Sequence, residues 1–96
     1  MTREMVEVEN VNHPGQTVHR EAAKYWAARK AFLGFLPKAA PGLTQGEMFQ
    51  AMRRALPQGD FPGKTTSWWM KTVQLDLEAK GLVVRDSGKP LRWRKV

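Results

Sequence analysis

At 96 residues the chain has room for one domain with a small hydrophobic core. It has no cysteine and no apolar run near the roughly 18 residues of a membrane span, which excludes disulfides, thiolate metal sites, cysteine nucleophiles and a transmembrane helix. Its 16 Lys and Arg against 9 Asp and Glu give a formal net charge of +7, the balance of a protein drawn to polyanions such as nucleic acid.

Residues 1–16 read as an N-terminal arm ahead of a domain spanning 17–96. Val6, Val8 and Val11 suggest a strand, and Asn12-His13-Pro14-Gly15 reads as a turn. Three glutamates and no apolar block in the first 20 residues do not resemble a secretory signal, so a cytoplasmic protein is expected. A first helix is predicted over 17–36, capped by Thr17 and ended by Pro37. Val18, Ala22, Tyr25, Trp26, Phe32, Leu33 and Leu36 fall on one face of it. Arg29 lies inside that apolar stripe and calls for an acidic partner, Asp76 first and Glu47 second.

Residues 38–44 connect to a second helix and end in a short strand. Thr44-Gln45-Gly46-Glu47 fits a capping box, in which the hydroxyl and the carboxylate each satisfy a free backbone N–H. This helix runs to about Leu56, buries Met48, Met52, Ala55 and Leu56, and stops at Pro57. A Pro- and Gly-rich loop follows over 57–65. Thr65, Thr66 or Ser67 caps the third helix, and Gly81 ends it in the left-handed conformation. Strands are predicted at 82–85 and 91–95 around the turn 86–90.

Three stretches, "LTQGEMFQAM", "TTSWWMKTVQLDLEAKGLVVR" and "DSGKPLRWRK", together resemble a winged helix-turn-helix domain. Leu77 four residues before Gly81, followed by Leu82-Val83 and Arg85, carries most of the likeness. The chain as a whole is also similar to a family of small bacterial proteins without an assigned function. The resemblance implies an α+β fold, mainly α, of three helices followed by a C-terminal hairpin wing. It implies duplex-DNA binding of the kind transcriptional regulators use, by a non-enzymatic protein without a cofactor. Carried over by position, Lys64, Thr65, Thr66, Ser67 and Lys71 meet DNA from the third helix, and Arg85, Lys89, Arg92, Arg94 and Lys95 from the wing and tail. The wing cations are expected to supply most of the affinity. Alternation along a half-buried strand also accounts for Arg92 and Arg94 without DNA.

On the helical wheel Trp69, Met70, Val73 and Leu77 form one apolar arc of the third helix. Trp68, Leu75 and Ala79 form another on the far side. A helix apolar on two sides is buried on two sides. Trp68 and Leu75 therefore point to a cover, supplied by the arm, by Trp93 or by a second copy, and the alternative function is a protein-interaction or dimerisation surface. "GKT" at 63–65 lacks the first glycine of a P-loop, since position 58 is Gln58. His13 and His19 have no carboxylate at ligand spacing, so no metal site is expected.

Overall fold

The computed structural model describes residues 4–96. Among them the chain forms β1 (Met5–Glu9), β2 (Thr17–Glu21), α1 (Ala22–Phe35), β3 (Leu43–Thr44), α2 (Gln45–Ala55), α3 (Thr65–Ala79), β4 (Val83–Asp86) and β5 (Arg92–Lys95). The class is α+β, with three helices and a C-terminal β4–β5 hairpin. The short β3 pairs antiparallel with β5, which gives a three-stranded sheet of order β3-β5-β4. No helix among the described residues is long and apolar enough to cross a membrane.

The beginning differs from expectation. Residues 17–21 are a strand, not the first turns of a helix, and Thr17 caps nothing. β2 pairs antiparallel with β1, with Val8 opposite Val18 and Glu7 opposite His19. His19 Nε2 stands 3.8 Å from the Glu7 carboxylate. The two conformations compete closely here. Val18 lies four residues before Ala22, so it fits a helical stripe, but Thr17 and Val18 are β-branched and suit a pleated ladder better. A five-residue partner at Met5–Glu9 decides the contest. The N-terminal arm is thus one strand of a hairpin whose second strand leads directly into α1.

Elsewhere local signals hold. The Thr44 hydroxyl accepts from the Glu47 N–H at 3.2 Å, and the Glu47 carboxylate accepts from the Thr44 N–H at 2.9 Å. The Thr44 backbone N–H, then its hydroxyl, holds the Glu47 carboxyl below the usual glutamate range. At the end of α3, Gly81 has φ +75, and the N–H groups of Gly81 and Leu82 donate to the carbonyls of Glu78 and Leu77. That is a Schellman turn, and glycine fits it because its φ is positive.

The core lies between the three helices and the sheet. Tyr25, Ala28 and Phe32 of α1, Met48 and Met52 of α2, and Trp69, Met70, Val73 and Leu77 of α3 are buried together with Val83 and Trp93. Each large side chain buried in this way contributes about 1.5–3 kcal/mol. Phe61, from the loop before α3, closes one end, edge-on to Trp69. Trp26 was expected on the buried stripe but is 51% exposed, with the Arg29 guanidinium over its ring. Once the helix begins at Ala22, the inner stripe is Ala22-Tyr25-Ala28-Phe32, and Trp26 falls outside it. Ala55 is likewise exposed. Trp93 faces the core and so does not cover the far side of α3.

Candidate functional site

The start of α3 is built by the tight turn Pro62-Gly63-Lys64-Thr65, closed by the Thr65 N–H on the Pro62 carbonyl at 3.1 Å. No side chain caps it, contrary to expectation. Its hydroxyls turn back onto their own loop instead. Thr65 Oγ1 donates to the Pro62 carbonyl at 2.6 Å, Thr66 Oγ1 to Phe61 at 2.9 Å and Ser67 Oγ to Lys64 at 2.9 Å. Thr66 is 1% exposed, so it belongs to the core and has no surface to offer a phosphate.

Lys64, Trp68 and Lys71 occupy successive turns of one face, because steps of four and three residues return to the same side of a helix. All three are exposed, Trp68 at 46%. Neither lysine's ammonium group makes an ion pair among the described residues. Arg20 of β2 reaches the same place, its guanidinium 5.2 Å from the Trp68 ring centroid. Arg20 was not among the residues singled out from sequence. Only the pairing of β2 with β1, which turns residues 17–21 away from a helix, brings it to α3.

Four of the five cations expected on the C-terminal hairpin are engaged within the chain. Arg85 pairs with Glu78 at 3.5 Å, Arg92 with Glu47 at 3.6 Å and Arg94 with Asp86 at 2.8 Å. Lys95 donates to the Leu33 carbonyl at 2.9 Å. Lys89, in the loop between β4 and β5, is exposed and makes no ion pair among the described residues.

The hairpin formed by β1 and β2 explains the second apolar arc of α3. Val8 is buried beneath it, and the Val11 N–H donates to the Leu75 carbonyl at 3.3 Å. Leu75 is therefore half-buried under the N-terminal segment, while Trp68, two turns earlier, meets the hairpin through Arg20 and stays exposed. Asp76 fastens this arrangement. Its fully buried carboxylate accepts from the Glu9 N–H at 2.9 Å, from the Tyr25 hydroxyl and from Lys80. Lys80 also pairs with Glu9 at 3.1 Å. The expected Arg29–Asp76 pair is thus indirect: Arg29 donates to the Tyr25 hydroxyl at 3.2 Å, and Tyr25 donates to Asp76. Glu47, the alternative partner, belongs to Arg92.

This cluster makes the fold sensitive to alkali. Burial first, and then the hydrogen bond to Asp76, raises the Tyr25 phenol above its ordinary 10.0. Partial burial works against the Lys80 ammonium, but its bonds to Asp76 and Glu9 outweigh this and raise it above 10.5. Both groups hold their protons to higher pH when folded than when unfolded. Their contribution is complete below the unfolded values and is lost as pH rises through the folded ones. Chemical denaturation at a series of pH values should therefore show stability falling above about pH 10. Tyr25→Phe should lessen that fall, and a slope unaltered by the substitution would contradict this origin.

Between the hairpin and α3 lies a groove of about 340 Å³ that includes Arg20, Trp68, Lys71 and Leu75. Among the described residues no three His, Asp or Glu side chains are placed to hold a metal ion. Residues 5–93 match the model of a family of unknown function (DUF6958). No curated protein and no solved structure matches the chain.

Proposed function

We propose that this chain, which belongs to the DUF6958 family, is a non-enzymatic nucleic-acid-binding protein of winged-helix type that takes duplex DNA. The observation that carries the reading is the unneutralised stripe Lys64-Trp68-Lys71 at the start of α3. It lies on a chain of net charge +7 whose nearby carboxylates, Asp76 and Glu78, are already bound to Lys80 and Arg85. The element order supports the winged-helix part. After α1 comes a short strand that joins the C-terminal hairpin at β5, with α2 and α3 between them.

The hairpin over Leu75 limits how α3 meets DNA. On this face Lys64, Trp68 and Lys71 stay exposed while Leu75, one turn on, is half-buried, so contact falls on the phosphate backbone and the groove edge, not along the helix. Lys64, Lys71 and the exposed Thr65 supply the helix contacts, and Lys89 supplies one from the wing tip. Arg85, Arg92 and Lys95 tie the wing to the body and Arg94 ties its two strands together, so in this reading they supply less of the affinity than expected.

Duplex binding measured over a range of salt tests this. Replacing Lys64 and Lys71 together by Gln should weaken binding on every sequence and lower the slope of log affinity against log salt by about 2. Arg92→Gln with Arg94→Gln should have a smaller effect. A slope unaltered in the Lys64/Lys71 variant would remove α3 from the interface.

The half-exposed Trp68 favours a second reading, in which the stripe is an interaction or dimerisation surface. An apolar interface is little weakened by salt, and sedimentation of Trp68→Ala against the natural chain would then show a lost dimer.

A further inference from the structure

The groove between the N-terminal hairpin and α3 holds two cations that no carboxylate of the described residues neutralises in a salt bridge, Arg20, whose guanidinium lies 5.2 Å from the Trp68 ring centroid, and Lys71. Val8 and Val18 of the hairpin and Trp68 and Leu75 of α3 give it apolar wall, and Arg20 and Lys71 are the two permanent cations of its otherwise mixed polar lining. At about 340 Å³ it is at the small end of ligand sites, which span roughly 300–1,000 Å³. Arg20 Nε is buried and has no acceptor among the described residues. One other nitrogen of that guanidinium donates to the His19 carbonyl at 3.2 Å. A buried donor without an acceptor is costly and rare in native proteins, and it marks a place where an acceptor belongs. Lys71 adds a second charge with no anion beside it. Glu9, the carboxylate that lines the groove, is committed to Lys80 at 3.1 Å.

We propose that this groove binds a small planar aromatic carboxylate. The ring system lies against Trp68, Val18 and Leu75, and the carboxylate is taken by Arg20 and Lys71. Charge complementarity fixes the sign of the ligand: two cations face the space and the neighbouring acid is already neutralised. The apolar walls require a ring or similar body in addition to the charge, since a bare anion would leave them wet. The flat guanidinium fork matches a carboxylate edge, and the lysine completes it as a point charge. Because its walls come from both β-strands and from α3, an occupant would fasten the hairpin to the helix. Such a site stands whether or not α3 meets DNA.

Titration of the full chain with naphthoate, followed by proton–nitrogen correlation spectra, tests it without any nucleic acid. The Trp68 indole N–H signal should shift saturably, while that of Trp26 stays in place. Naphthamide, with the same rings and no charge, should bind about tenfold more weakly or worse, and Arg20→Gln should cost a similar factor. Inorganic phosphate alone should leave Trp68 unmoved. No saturable shift at Trp68, equal affinity for the amide, or a phosphate effect as large as that of naphthoate would overturn the site. Should Arg20→Gln disturb the hairpin, Lys71→Gln decides, since that side chain is exposed and holds nothing in the fold. Undiminished naphthoate binding in Lys71→Gln would then count against the site.

Discussion

Replacing Asp76 by alanine is expected to remove about 3–5 kcal/mol of stability, the range for breaking a buried charged pair by deleting one partner. The side chain is 0% exposed, and three elements end on it. Tyr25 comes from α1, Lys80 from the end of α3 and the Glu9 N–H from β1. Alanine would leave the Tyr25 phenol and the Glu9 N–H without an acceptor and would take from Lys80 one of its two carboxylates, leaving it Glu9 alone. A domain of this size holds only about 5–15 kcal/mol in total, so the loss would take a large share of it. Asp76→Asn keeps the shape and one acceptor oxygen, and should cost less, about 1–3 kcal/mol. The pattern of loss is as diagnostic as its size. In the Asn variant, hydrogen exchange at Glu9 and along β1 should quicken more than in α2, because the hairpin is held to α3 through this carboxylate. Urea midpoints within experimental error of the natural chain for both variants would show that the cluster contributes nothing.

How much of this could be read beforehand follows from the range of each interaction. The capping box at Thr44 and Glu47 and the glycine turn at Gly81 involve residues three to five apart, and the chain spells them out. The inner faces of α2 and α3 were legible for the same reason, since periodicity is a local property. The start of α1 was not, because Thr17–Glu21 satisfies two periods and is resolved by Met5–Glu9 across a turn. A cue was present: a Pro14-Gly15 turn between two runs containing β-branched residues suggests a hairpin. The site suffered from the same gap. Lys64, Trp68 and Lys71 could be placed on one helix face, but Arg20 joins them through a contact with Trp68 that spans 48 positions. Asp76 was marked as a charge needing a partner, yet its partners are a backbone amide, a phenol and a lysine. Charge counting could not separate cations held inside the chain, such as Arg94, from open ones such as Lys71.

A glycine-to-alanine pair should give opposite signs in one protein, and the larger effect falls at Gly42. This residue is buried at the entry to β3, with φ +80, where an L side chain is strained. A Cβ there would be driven into the carbonyl oxygen of Trp93 and would stand 2.9 Å from its carbonyl carbon. Both atoms are backbone, and they cannot swing aside as a side chain would. β3 is two residues long, with Leu43 opposite Trp93 and Thr44 opposite Arg92, so it has no length with which to absorb a displacement. Thr44 is also the cap of α2, and the Gly42 carbonyl accepts from Arg92 at 3.3 Å. Moving β3 would therefore loosen the sheet, the helix cap and that contact together. Strain of this kind alone costs about 1–3 kcal/mol, and with the clash Gly42→Ala should lose about 3 kcal/mol or more. Gly34 gives the contrast. It is exposed near the end of α1, has no positive φ, and a Cβ there meets nothing within 4 Å. Gly34→Ala should gain about 0.5–1 kcal/mol through helix propensity alone. Urea denaturation of the two variants beside the natural chain measures both. A Gly42→Ala protein as stable as the natural one would mean that β3 does not lie against β5 in solution. The basis for assigning this sheet to a winged helix would then be gone.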